Sequence, residues 1–220
     1  MSKLIPPDPS MHYMRRSKLL KKLSQCTQAK LTIVQSGAGF GKTSALAQMM
    51  ADQKHLYSWY QITEEDDDVL PFLRHLFFSI QRVYPEFGQS GTAWDHFSLF
   101  PNLEELNRLY IRFVNELCKI KTPFIVVIDD FHLVRHVFPI NYILDKIIEH
   151  LPSNIHFIVS SRVYPNWNCI FPLQMKGQVI ECKEEDFIFS KEEIQVLFED
   201  YFGRFLKAEE IETILSVTEG

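Results

Sequence analysis

The sequence predicts an α/β fold in which a parallel β-sheet is followed by a helical tail. Short β-branched or aromatic runs alternate with longer segments of helical periodicity, as in βαβ units. The run Pro123–Asp130 is apolar up to its last two residues, which is typical of a strand buried on both faces of a parallel sheet. After residue 184 only helical patterns remain. These three observations favour one α/β domain and the start of a helical one.

The individual elements are predicted from hydrophobic periodicity and from turn residues. Strands are expected at 31–35, 56–62, 123–130, 154–162 and 178–182. Helices are expected at 14–23, 42–53, 69–83, 103–119, 140–151, 190–202 and 208–217. The prolines in residues 1–14 predict an extended arm, and the glycines and prolines in residues 84–101 predict an irregular connection.

Composition limits the classes of function that this chain can have. Its formal net charge of −5 argues against a protein that binds nucleic acid through its overall electrostatics. The four cysteines are scattered without C-x-x-C spacing, which favours a reducing compartment over a disulfide framework or a zinc site. The first residues lack the apolar core of a signal peptide, and no apolar run is long enough to cross a membrane. We therefore expect a soluble cytoplasmic protein.

The most informative motif is the glycine-rich segment Ser36-Gly-Ala-Gly-Phe-Gly-Lys-Thr43, which lies between a predicted strand and a predicted helix. Glycines allow backbone N–H groups to turn toward an anion, and the helix N-terminus adds partial positive charge. The motif predicts that Lys42 reaches the phosphates of a nucleotide and that the Thr43 hydroxyl holds Mg²⁺. Ser36 departs from the strict pattern, which has glycine there. The predicted phosphate-binding residues are Gly37, Ala38, Gly39, Phe40, Gly41, Lys42, Thr43 and Ser44.

A second half of the same site is predicted at the ends of two other strands, since α/β sheets bind ligands at their carboxyl edge. Asp129 is expected to orient the Mg²⁺ that Thr43 holds, and Asp130 to polarise the water that attacks the γ-phosphate. Arg162 is expected either to neutralise that phosphate or to be an ordinary surface arginine. For His132 a hydrogen-bonded structural role is favoured over a contact with nucleotide.

Two charged clusters have plainer interpretations. The acidic run Glu64–Asp68 predicts a solvated loop whose charge suits the start of the next helix, with metal binding as the weaker alternative. Arg15 and Arg16 are interpreted, from composition alone, as a solvated basic cluster.

Motifs spread over nearly the whole chain resemble one known family, the MalT/LuxR-type STAND ATPases, which are large bacterial transcription regulators. The family's proline-containing arm and its Arg-x-x-Leu-Leu motif are similar to residues 3–7 and 16–20, and its phosphate loop is similar to residues 36–43. The other similar residues are Trp59, Asp66, Phe72, Asp129-Asp-Phe-His132, Ser161-Arg162, residues 185–193 and Thr218-Glu-Gly220. Gly37 departs from the family, which usually has proline at that position.

The resemblance implies several properties that composition and periodicity do not. The fold is expected to be an AAA+-like P-loop NTPase, a three-layer α/β/α structure with strand order 5-1-4-3-2. It implies a nucleotide-binding domain at residues 1–185 and the truncated start of a helical lid at 186–220. It also implies an ATP/ADP switch that hydrolyses ATP slowly and self-associates in the ATP state. The backbone near Arg16 is expected beside the adenine, and DNA binding is assigned to a C-terminal domain beyond this chain.

Other functions share part of this signature. An AAA+-like motor or loader would also have the phosphate loop, the acidic strand end and the lid, but it would turn over ATP rapidly on nucleic acid. A small-molecule kinase would need an acceptor pocket and an arginine-rich lid, which residues 84–101 and 163–177 do not indicate. A protein that binds nucleotide tightly without hydrolysing it remains an alternative.

Overall fold

A computed structural model describes residues 2–8, 14–52, 54–89 and 101–218 of the chain. Its five strands form one sheet in the order β2-β3-β4-β1-β5, and all the pairings are parallel. The strands are β1 Leu31–Gln35, β2 Leu56–Gln61, β3 Phe124–Asp129, β4 Ile155–Ser161 and β5 Val179–Cys182. The predicted fold class and strand order are confirmed, since 5-1-4-3-2 is the same order read from the opposite edge.

Helices occupy most of the predicted positions, with bounds that differ by up to a few residues. The helices are α1 Ser17–Leu23, α2 Lys42–Asp52, α3 Val69–Gln81, α4 Leu103–Leu117, α5 Phe138–Glu149, α6 Ile170–Met175, α7 Glu184–Phe187, α8 Lys191–Phe202 and α9 Ala208–Thr218. The short helices α6 and α7 were not predicted, because they are too short to show a helical period. Within the described ranges, no helix has both the length and the apolar character needed to span a membrane.

The sheet is covered on both faces, as its apolar strands predict. In β3, Phe124, Val126 and Ile128 pack into the core formed with α3, α4 and α5. The alternate residues Ile125 and Val127 pack into a second core formed with α1 and α2. This alternation follows from the two-residue period of a strand, and it produces the three-layer arrangement.

The helical tail has a small apolar cluster of its own, distinct from the two sheet cores. Ile194 of α8 packs with Leu206 and with Ile211 of α9. Ser190 caps α8 by accepting a hydrogen bond from the Glu193 N–H, as the sequence motif predicts. We refer to α8 and α9 together as the lid.

The acidic run Glu64–Asp68 is not a uniformly solvated loop, so this interpretation was wrong for one residue. Asp68 caps α3 by accepting a hydrogen bond from the Leu70 N–H, but Asp66 is fully buried. The Asp66 carboxylate accepts hydrogen bonds from Lys3 Nζ at 2.7 Å and from the N–H and hydroxyl of Thr63. It also lies 2.9 Å from His75 Nδ1. This carboxylate therefore fixes the N-terminal arm to the edge of the sheet.

Some predicted features fall outside the described residues. Residue 1 and residues 9–13 of the arm are among them, as are residues 90–100 of the expected irregular connection. The same holds for residues 219 and 220 of the Thr-Glu-Gly motif.

We expect Asp66→Ala to lower the free energy of unfolding by about 3 kcal/mol, because it leaves the Lys3 ammonium without its buried partner. Urea denaturation monitored by circular dichroism measures this change. The exposed neighbour Glu64 provides a matched control, since Glu64→Ala removes a carboxylate from the same turn without a buried contact. Equal stability of the two variants would contradict the assignment.

The contribution of Asp66 to the free energy of unfolding should depend on pH. Burial on its own raises the pKa of Asp66, but hydrogen bonds from Lys3 and Thr63 outweigh it and hold the pKa below the usual 3.8. A lowered folded-state pKa adds stability above the unfolded-state pKa, and this stability is lost as the pH falls through the folded-state value. The stability difference between wild type and Asp66→Asn should therefore be full at neutral pH and shrink below about pH 4.

Candidate functional site

The glycine-rich loop lies at the carboxyl end of β1 and leads directly into α2. Gly39 and Gly41 have φ angles of 85° and 78°, a conformation that residues with side chains rarely adopt. Ala38, Gly39 and Gly41 are exposed, so that this turn faces solvent at the edge of the sheet. The first N–H groups of α2 follow this turn and have no partner within the helix. They make the loop suitable for binding an anion.

Lys42 is buried at the start of α2, with only 7% of its surface exposed. Its ammonium donates hydrogen bonds to the carbonyl oxygens of Ser36 and Gly37, at 2.7 and 2.6 Å. Burial lowers the pKa of Lys42, and the negative charges of Asp129 and Asp130 oppose that shift. The lysine is thus held inside the loop with two carboxylates near it.

Thr43 and Asp129 join the loop to the end of β3. The Thr43 hydroxyl donates a hydrogen bond of 2.7 Å to Asp129 Oδ2, across the end of the intervening strand β4. Asp129 is fully buried, and this burial together with the neighbouring charge of Asp130 raises its pKa. The hydrogen bond from Thr43 opposes the shift by stabilising the carboxylate form.

Asp130 begins the connection after β3 with a left-handed backbone, at a φ of 60°. Its Oδ2 accepts a hydrogen bond of 3.1 Å from Gln61 Nε2 at the end of β2. His132 Nδ1 is 3.8 Å from Asp130 Oδ1, and it is buried without a hydrogen-bond partner among the described residues. The interpretation of His132 as a hydrogen-bonded structural residue is therefore wrong for this nitrogen. Gln61 was not predicted, because a glutamine at a strand end carries no distinctive signal.

Arg162 follows the last residue of β4 and is exposed. Its positive charge is close enough to contribute to lowering the pKa of both Lys42 and His132, although burial is the main cause for each. The structure therefore brings together five predicted side chains at one edge of the sheet: Lys42, Thr43, Asp129, Asp130 and Arg162.

Arg16 is not part of a solvated cluster, which corrects the interpretation made from composition. Whereas Arg15 is exposed and pairs with Asp52, only 8% of Arg16 is exposed. The Arg16 guanidinium donates to the carbonyl oxygens of Phe187 and Ile188 at 2.7 and 2.8 Å. It also pairs with Glu193 at 3.1 Å and lies 4.1 Å from the centre of the Phe189 ring. Its side chain therefore connects α1 to the segment that leads into the lid.

A cavity of about 340 Å³ opens between the phosphate loop and the lid. Predicted residues line part of it, among them Gly39, Phe40 and Ser44. It is also lined by residues that sequence reasoning did not assign to the site, namely Met14, Leu19, Gln48, Phe189, Leu197 and Tyr201. Arg16 also lines this cavity, and the position of an adenine beside its backbone stays a prediction from the family resemblance.

Glu184 is a further residue that the sequence did not indicate. Its Oε2 accepts a hydrogen bond of 3.0 Å from the Gly37 N–H. Glu184 begins α7, directly after β5, so that this contact joins the phosphate loop to the connection between sheet and lid. No sequence pattern predicts it, because the two residues are 147 positions apart.

Among the described residues, no group of three or more His, Cys, Asp or Glu side chains is arranged to hold a metal ion. Thr43 and Asp129 nevertheless supply the hard oxygen atoms that Mg²⁺ prefers. Mg²⁺ in nucleotide sites takes one or two protein ligands and completes its shell with phosphate oxygens and water. The residues present therefore fit a nucleotide-bound Mg²⁺ better than a metal held by protein alone.

No protein-family model matches the chain. Over 199 residues, or 90% of its length, the chain is 32% identical to the HTH-type transcriptional regulator MalT of Yersinia pestis strain Pestoides F. The match covers 21% of that protein, so the chain spans about a fifth of its length.

Two solved structures have a similar fold. The STAND protein PH0952 of Pyrococcus horikoshii, which carries a tetratricopeptide repeat sensor, superposes with a TM-score of 0.58 at 19% identity, over 98% of this chain and 29% of that one. The Walker-type ATPase paby2304 of Pyrococcus abyssi superposes with a TM-score of 0.53 at 16% identity, over 97% of this chain and 65% of that one. The expected resemblance is confirmed: the chain matches a segment of the MalT-type transcriptional regulators and has the fold of the P-loop and STAND ATPases.

Proposed function

We propose that this chain is the ATP/ADP-binding switch module of a STAND-type transcriptional activator. The observation that carries the proposal is the hydrogen bond between Thr43 and Asp129, beside a buried Lys42 and a cavity that the lid borders. In this proposal residues 1–185 bind the nucleotide, and residues 186–220 begin the helical lid. The module acts in the cytoplasm.

The two ends of the nucleotide have different surroundings in this proposal. The phosphates lie on residues 37–44, where N–H groups and the Lys42 ammonium neutralise their charge. The base enters the cavity beside Phe40 and Phe189, whose rings offer apolar surface for stacking. Thr43 and Asp129 hold Mg²⁺, which when bound offsets negative charge on the phosphates.

Hydrolysis requires a group that accepts a proton from the attacking water. Asp130 takes this role, because its carboxylate is partly exposed at the strand end and is oriented by Gln61. Arg162 is placed to offset charge that develops on the γ-phosphate. Slow turnover is what a switch requires, because the ATP state must last long enough to self-associate.

The regulatory part of the proposal derives from the relatives. The MalT proteins are HTH-type transcriptional regulators about five times as long as the matched segment. DNA binding is therefore assigned to a C-terminal region outside these residues, and the present module controls self-association through its nucleotide.

We predict that Lys42→Ala weakens Mg-ATP and ADP binding at least about 100-fold, because it removes a buried charge that faces the phosphates. Titration with a fluorescent ADP, followed by competition with Mg-ATP, measures this loss. The exposed Lys21 supplies a matched control, since Lys21→Ala removes the same charge from α1. A Lys42→Ala variant that binds like wild type would exclude this loop as the phosphate site.

We predict that Asp130→Asn abolishes ATP hydrolysis while ADP affinity changes less than about threefold, because the amide cannot accept the proton from water. Phosphate release from wild type should stay well below about one turnover per second, which is slow for an enzyme. Faster turnover that DNA stimulates would instead support the AAA+-like motor or loader. ATP binding without measurable phosphate release in wild type would leave a binding protein that does not hydrolyse.

A further inference from the structure

Gly37 is the position at which this chain differs from the family pattern, and its backbone does not explain the difference. Gly39 and Gly41 have a positive φ but Gly37 does not, so the backbone conformation of Gly37 does not require glycine. A Cβ atom placed there would lie 3.1 Å from Cε2 of the Phe40 ring, which is a tight contact. What this residue supplies, and proline cannot, is a backbone N–H.

That N–H donates to Glu184 Oε2 at 3.0 Å, and the Ser36 carbonyl oxygen, which belongs to the same peptide unit, accepts from Lys42 Nζ at 2.7 Å. The peptide unit between Ser36 and Gly37 is therefore held at both ends, by a carboxylate at its N–H and by an ammonium at its oxygen. The Glu184 contact thus stabilises the carbonyl orientation that places Lys42 inside the loop.

Glu184 also lies in the segment that connects the last strand of the sheet to the lid. It is the first residue of α7, and α7 is followed closely by the lid helix α8. At the other end of α7, the carbonyl oxygens of Phe187 and Ile188 accept hydrogen bonds from Arg16, which also pairs with Glu193 of the lid helix α8. A displacement of the lid that moves α7 would therefore also move the carboxylate that holds the phosphate loop.

We propose that Glu184 is a positioning residue, which holds the Gly37 peptide and thereby couples the phosphate loop to the lid. This inference rests on the proposed function, because the coupling acts on nucleotide bound at that loop. When the hydrogen bond between Glu184 and the Gly37 N–H is broken, the phosphate loop is held less firmly and releases nucleotide faster. A chain with proline at position 37 cannot make this contact.

The first experiment measures the dissociation rate of a fluorescent ADP by stopped flow. We expect Glu184→Ala and Gly37→Pro each to accelerate release at least about fivefold, and their combination to accelerate it no further, since both remove one interaction. Glu184→Gln should restore release to within about twofold of wild type, because its amide oxygen still accepts the hydrogen bond. Glu185→Ala, which changes the exposed neighbouring residue, serves as the control.

An unchanged rate for Glu184→Ala or additive effects of the two substitutions would overturn the inference. Equal effects of Glu184→Gln and Glu184→Ala would also overturn it, because they would indicate charge rather than a hydrogen bond. Gly37→Pro is compared with Gly37→Ala, which adds a Cβ but keeps the N–H. If the proline variant is no faster than the alanine variant, crowding of Phe40 explains the effect and the inference fails.

A second readout does not depend on nucleotide. In the protein without nucleotide, Glu184→Ala should raise amide hydrogen exchange in a peptide covering residues 35–41 and leave a peptide covering β3 unchanged. Unchanged exchange at residues 35–41 would overturn the inference. If wild type binds no nucleotide, the proposed function fails, and the exchange result still decides whether Glu184 holds the loop.

Discussion

The site depends on a constraint imposed by the sheet, whose central strands are buried on both faces. All the residues of β3 and β4 are buried, so polar side chains that bind a ligand are confined to the strand ends. Asp129 is at such an end and is itself buried, so its carboxyl group needs hydrogen-bond donors. The Asp130 N–H and the Thr43 hydroxyl both donate to it, and the bond from Thr43 fixes the start of α2 against β3. Loop, helix and strand end are therefore positioned together.

Charges of both signs lie at this edge of the sheet. Asp129, Asp130 and Glu184 carry negative charge close enough to raise the pKa of Lys42, and Arg162 carries a positive charge close enough to lower it. Lys42 donates to two carbonyl oxygens rather than to either carboxylate, so its charge is not neutralised by a direct ion pair in the described part of the chain. An anion with several oxygens would offset the positive side chains, and a divalent cation bound with it would offset the negative ones.

Features encoded locally could be predicted from the sequence. The five strands and the turn at Gly39 and Gly41 depend on neighbouring residues, and so they were found from patterns a few residues long. The burial of Asp66 and Arg16 could not be read in this way. Their partners lie 63 and up to 177 positions away, and their surroundings are set by tertiary packing. The contact between Glu184 and Gly37 could not be predicted either, because the residues around Glu184 carry no signal for so distant a partner.

These distant contacts join the lid and the segment before it to the rest of the chain. The apolar cluster of the lid is separate from both sheet cores, and the ion pair between Arg16 and Glu193 reaches the lid itself. Arg16 also binds carbonyl oxygens of the segment before α8, and Glu184 of that segment binds the phosphate loop. Such contacts are individually worth only about 1–3 kcal/mol. In the proposed function, a nucleotide whose affinities for two lid positions differ by a few kcal/mol shifts the equilibrium between those positions, which is the energetic requirement of a switch.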